Sequence, residues 1–188
     1  MQMRPLAKQT TKTSRDLACM VHTDGAVTSN QTLIQWLPAR KTIVELLAAM
    51  PEHCTQPRAQ DGHALIRVTY QSQLNVTWQG ETKLLAGRTL EEAFALQNLV
   101  WCQDDERANL KLLIRGNARL SLDQLAERLH KRVKSSEFNK TDFALALLAQ
   151  NPASWTVPTY IENGLLWLQD EIAPTPAVAT PQAVEVAA

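Results

Sequence analysis

Only three segments of this sequence read as β-strands, and all lie between residues 64 and 86. "ALIRVTY" (64–70) is rich in branched and aromatic residues. "LNVTW" and "TKLLA" flank "QGE" and predict a hairpin turning at Gly80. Three strands are few for an independent sheet, which is stable in water only with an apolar face to bury or a helix to pack on. Helices must therefore complete the fold, and the expected class is mixed α/β with few strands and several short helices.

The helical segments carry their own start and stop signals. In "TSNQTLIQWLPA", Thr28, Ser29 and Asn30 offer caps, Leu33, Ile34 and Leu37 form a short stripe, and Pro38 ends it. "KTIVELLAAM" predicts a second short helix closed by Pro51, with a polar loop over 51–62. A capped helix follows from Leu90 to about Asn98, and "ANLKLLIR" predicts another that ends at Gly116. "SLDQLAERLHKRVK" is the clearest helix: Ser121 and Gln124 form a capping box, and Leu122, Leu125, Leu129 and Val133 make one apolar stripe. "TDFALALLAQ" and the stretch from Pro158 to about Gln169 complete the set. Trp36, Trp155 and Trp167 are expected to be core or interface anchors.

The 188 residues suit one domain, and 19 basic residues balance 19 acidic ones. The charge is unevenly spread. Arg4, Lys8, Lys12 and Arg15 make residues 1–16 a basic arm expected to be disordered, whereas 171–188 are Pro/Ala-rich and expected to be a disordered tail. Residues 17–170 are the expected domain. Cys19, Cys54 and Cys102 are far apart and odd in number, and no Cys/His group has zinc spacing. With no apolar run of membrane length and no signal-peptide pattern, the expectation is a soluble cytoplasmic protein without a membrane partner.

"GRTLEEAF" (87–94) holds the most informative pair of acids. Thr-x-x-Glu is a capping box, so Thr89 and Glu92 are accounted for by the helix start. Glu91 is not needed there and, by its position off the Leu90/Phe94 stripe, reads as a solvated surface acid.

Five stretches in order, "TSNQTLIQWLP", "RVTYQ", "GRTLEEAF.LQN", "NKTDFALALL" and "WTVPTYIENGLLWL", resemble the C-terminal part of the Toprim domain in OLD (overcoming lysogenization defect) family ATP-dependent endonucleases, relatives of the Gabija phage-defence nuclease. They cover roughly residues 19–169. The resemblance implies a partial Toprim-like nuclease domain and metal-dependent phosphodiester hydrolysis in DNA. In such a site two carboxylate-held cations, Mg²⁺ or Mn²⁺, activate water and stabilise the leaving oxygen, and a lysine adds positive charge. Thr89 and Glu91 match the family's late Thr/Ser-x-Glu element, and Lys140 in "NKTDFA" matches its lysine. On the resemblance these three are the candidate catalytic residues, and Glu91 is the candidate metal ligand.

The family's early glutamate and Asp-x-Asp pair should precede "TSNQT". The 27 residues before it contain no strand ending in that pair. Asp24 is the nearest acid, but its partner position is Ala26, and Asp24-Gly25 reads as a turn. There is no GxxxxGK[ST] phosphate loop and hence no ATP site. The expectation is a Toprim fragment inactive alone, with Mg²⁺ or Mn²⁺ held only in a completed site and an ATPase/Toprim chain or full-length homologue as partner. The alternative is a non-catalytic module that binds DNA or a homologue. For DNA the candidate contacts are Arg128, Lys131, Arg132 and Lys134, with Lys111, Arg115 and Arg119 near in sequence; cations at a helix C-terminus are also favoured by its dipole.

Overall fold

A computed structural model describes residues 3, 5–6, 18–57 and 65–172. In it three two-stranded antiparallel ribbons are joined and covered by helices. Strands β1 (Pro5–Leu6) and β2 (Val27–Thr28) make the first ribbon, β3 (Thr55–Gln56) and β4 (Ile66–Arg67) the second, and β5 (Leu74–Trp78) and β6 (Glu81–Leu85) the third. The third is the hairpin the sequence predicts. Its two-residue turn places both Gln79 (φ 49°) and Gly80 (φ 84°) in the left-handed region, as a type I′ turn requires. The predicted strand over 64–70 is shorter, since only Ile66 and Arg67 pair, and they pair with β3 inside the predicted polar loop.

Helix α1 (Gln31–Gln35) starts at one of the expected caps, Asn30 accepting from the Thr32 N–H, and helix α2 (Ile43–Leu47) starts at a capping box made by Thr42 with Glu45. Helix α3 (Leu90–Gln97) is followed at once by α4 (Leu99–Cys102). Helix α5 (Leu122–Lys134) has the predicted Ser121–Gln124 capping box and buries Leu122, Leu125, Leu129 and Val133. Full burial of each of these side chains contributes about 1.5–3 kcal/mol. Helices α6 (Lys140–Leu148) and α7 (Thr159–Ile172) end the described chain.

"ANLKLLIR" is not the helix its composition predicts. A 3-10 turn ends at Leu110, Lys111 takes a left-handed φ of 61°, and Leu112 and Ile114 are both buried as alternate residues. Gln103 explains the change. Its side-chain amide donates to the Leu112 carbonyl (3.1 Å) and accepts from the Ile114 N–H (2.9 Å), giving an extended segment the partners a helix would otherwise supply.

The larger core cluster gathers around Phe94 and the buried face of α5, and includes Val76 and Trp78 of the hairpin. A second cluster joins Met3, Val21, Leu33, Ile43, Leu46 and Val68. The structure differs from the predicted arm at residues 1–16, because Met3 is fully buried and Pro5–Leu6 pairs with β2. The rest of that arm, and the tail from 173, lie outside the described residues. Trp36 is not a core anchor: it is 44% exposed and donates to Gln56 Oε1. Trp155 packs on the larger core, and Trp167 lies under Arg67 as a cation–π pair at 5.7 Å. No helix among the described residues is long and apolar enough to cross a membrane.

Candidate functional site

The candidate site is built on the first turn of α3. Gly87 leads into it along the helix backbone itself. A Cβ there would lie 2.2 Å from the Ala93 nitrogen, so glycine alone permits this approach. Thr89 is extended and its hydroxyl oxygen accepts from the Glu92 N–H (3.5 Å), capping the helix. The reciprocal half of the predicted capping box is displaced by one residue. Glu92 Oε2 accepts from the Arg88 backbone N–H (3.0 Å).

Both glutamates are buried, at 4% exposure for Glu91 and 6% for Glu92, so the surface-acid reading of Glu91 is corrected. Helix α3 is enclosed on nearly every side, with 91–96 all buried, so its apolar stripe does not define an outward face. Two acids in this position suit the positive end of the helix dipole, and each also has a cation or histidine beside it. Glu92 Oε1 meets Arg88 Nε at 3.3 Å and His130 Nδ1 at 3.2 Å. Glu91 Oε2 accepts from Lys140 Nζ at 2.7 Å.

Lys140 is the first residue of α6, whose start is capped by Asn139 accepting from the Thr141 and Asp142 N–H groups. A cation at that end of a helix is disfavoured by the dipole, so α6 itself gives no reason for a lysine there. The ion pair with Glu91, 49 residues away in sequence, does. The fold thus brings together all three residues that the family pattern selects.

Burial pushes the Glu91 carboxyl upward, but the hydrogen bonds from Lys140 and Thr89 outweigh it, and the net shift is below the ordinary carboxylate value. Tyr160 of α7 stands near enough to feel this charge: burial chiefly, and the Glu91 carboxylate in the same direction, push its phenol up to about 12. A carboxyl held low in the folded protein contributes stability that is complete above its unfolded pKa and disappears as pH falls through the folded one. Stability should therefore fall more steeply below about pH 4.5 in the wild type than in Glu91→Gln. Thermal melts from neutral pH downward measure this; parallel curves for the two proteins would rule it out.

The divalent cations implied by the resemblance do not fit the donors present. Glu91 offers one carboxylate, already engaged by an ammonium group, and both oxygens of Glu92 are taken by Arg88 and His130. Among the described residues no group of three or more His, Cys, Asp or Glu converges as a metal site. Mg²⁺ wants several oxygen ligands in near-octahedral order, which one occupied carboxylate does not supply. Asp24 sits exposed in a turn before Gly25 (φ 66°), as expected.

The predicted DNA contacts divide. Arg128, Lys131 and Arg132 are exposed and line one cleft, which Arg115 joins. Lys134 is corrected out of that set: it is half-buried and donates to the Ala18 carbonyl at 2.9 Å. Lys111 is paired with Asp142 at 2.9 Å. Arg88 and His130 were not among the expected site residues. The i,i+4 spacing of Arg88 and Glu92 was a readable signal for the first, and nothing local marks the second.

These features define a small mixed α/β protein with an acidic helix start neutralised by cations. In comparisons with known proteins, no family model, no curated protein and no solved structure matches the chain.

Proposed function

We propose that this chain is a Toprim-related portion of an OLD-type DNA endonuclease that does not hydrolyse DNA by itself. The observation that supports it is the meeting of Thr89, Glu91 and Lys140. These positions are singled out by resemblance, Lys140 lies 49 residues from Glu91 in sequence, and the three form one hydrogen-bonded unit with Glu91 buried at its centre. A nucleic-acid phosphodiesterase of this kind needs several carboxylates for its Mg²⁺ or Mn²⁺ ions, and further polypeptide would have to bring them. An ATPase/Toprim chain or full-length homologue is the partner this requires. The three cysteines are free thiols, which suits a reducing compartment such as the cytoplasm.

A plasmid-nicking assay tests the reading. The purified chain should leave supercoiled DNA intact in Mg²⁺ or Mn²⁺. With an OLD-family ATPase–Toprim homologue added, cutting should increase, and Glu91→Ala or Lys140→Ala should abolish the increase. Cutting by the chain alone that disappears in Glu91→Ala would refute the claim of dependence.

A second reading, a non-catalytic module that binds DNA or a homologue, is favoured by the saturation of Glu91 by Lys140 and by the arginine-lined cleft at α5. Under it, both alanine variants leave partner-dependent behaviour unchanged.

A further inference from the structure

Helix α5 presents Arg128, Lys131 and Arg132 at i, i+3 and i+4, which places them on one face. Arg115 reaches the same place from the extended segment fixed by Gln103. With Ile114 these four cations line an open cleft of about 370 Å³. Lys131 is paired with Glu127 at 2.6 Å, with both side chains mostly exposed, a pairing weak enough to exchange. Among the described residues Arg115, Arg128 and Arg132 have no carboxylate within ion-pair distance.

The helix dipole accounts for cations only in the last turn, where Lys131, Arg132 and Lys134 stand. Arg128 is upstream of that turn and Arg115 is not on the helix at all. Their convergence is a property of the tertiary fold. Three guanidinium groups lining one cleft without an ion-pair partner repel one another, the exposed Glu127 beside Arg128 and Lys131 offsets only part of that charge, and an anion with several charges relieves the rest. Guanidinium is planar and offers paired donors that match phosphate oxygens.

We infer that this cleft is a binding surface for the phosphodiester backbone of duplex nucleic acid. The cleft is open rather than enclosed, so successive phosphates can lie across it. Its lining holds Ile114 and the four cations without an aromatic platform of the kind that stacks unpaired bases, which favours a duplex over a single strand. Contacts of this type set position and affinity and carry no sequence preference. The inference deepens the module reading and stands without the nuclease lineage, since binding is measured with no metal and no cutting.

Fluorescence anisotropy with a short labelled duplex DNA is the test. If three phosphates are neutralised, affinity should fall roughly 40-fold between about 50 and 200 mM salt. Arg115→Ala/Arg128→Ala/Arg132→Ala should remove most of the binding and flatten the salt response. These positions are exposed, so circular dichroism and melting should be preserved. If that variant melts lower, Arg115→Gln/Arg128→Gln/Arg132→Gln keeps more of each stem and should show the same loss. A flat salt response in the wild type, or unchanged affinity in the triple variant, overturns the proposal. So does equal binding of a single strand, polyglutamate or inorganic phosphate, which would assign the cleft to a different anion.

Discussion

Phe94→Ala should lower the melting temperature by roughly 10 °C, the largest change expected from a single substitution here. Phe94 is 1% exposed and stands at the centre of the larger core. Its ring meets Trp155, Phe143 and Trp101 edge to face, with centroids at 5.4, 5.6 and 6.0 Å. Truncation removes the transfer free energy of a large ring and leaves a cavity that three rigid aromatic groups on different elements cannot close. Such changes cost about 3–5 kcal/mol, and geometry-dependent aromatic pairing adds to burial. Phe94→Leu fills part of the space and should recover about half of the loss. Melting followed by circular dichroism measures both. A drop of about 1 kcal/mol or less for Phe94→Ala would show that the aromatic cluster is looser than its geometry implies.

Glu92→Ala should be the second severe change, at about 3 kcal/mol. The carboxylate accepts from the Arg88 backbone N–H, from Arg88 Nε, and from His130 Nδ1 in the tautomer that carries its proton there. All three groups lie in a buried or half-buried setting, so truncation leaves donors without an acceptor and one cation without its counter-charge. The loss comes chiefly from these orphaned partners rather than from the glutamate's own interactions. Two variants separate the contributions. Glu92→Gln keeps an acceptor oxygen and should cost less. Glu92→Ala combined with His130→Ala should cost less than the sum of the single changes, because each removes the same contact. Urea unfolding with an unchanged slope and a lower midpoint is the expected signature. Strict additivity would mean that Glu92 and His130 do not stabilise each other.

The parts of the fold legible in the sequence are those whose causes are local. The Gln79–Gly80 turn, the Ser121–Gln124 box and the Asn30 cap each arise within a few residues, and each is found where predicted; the Thr42 cap is equally local but was not among the expected features. The segment through Leu112 and Ile114 departs from the predicted helix because its backbone partner is the Gln103 side chain, a contact 9 and 11 residues away with no periodic signature. An apolar stripe on α3 predicts one buried face and leaves Glu91 at the surface, whereas the surrounding chain encloses the helix. Its contact with Lys140 and the arrival of Arg115 beside Arg128 come from tertiary folding; the first was anticipated only through family resemblance, and the second only as proximity in sequence.

Asn98, at the end of α3, holds the strand-like entry to the last helix in both directions. Its amide donates to the Thr156 carbonyl (2.8 Å), and its oxygen accepts from the Thr156 N–H (2.6 Å). Thr159 and Gln97 add a third link at 2.9 Å. These short bonds act as a mechanical hinge pin between α7 and the helix that carries Glu91. The start of α7 therefore cannot shift without breaking bonds made by the last residues of α3.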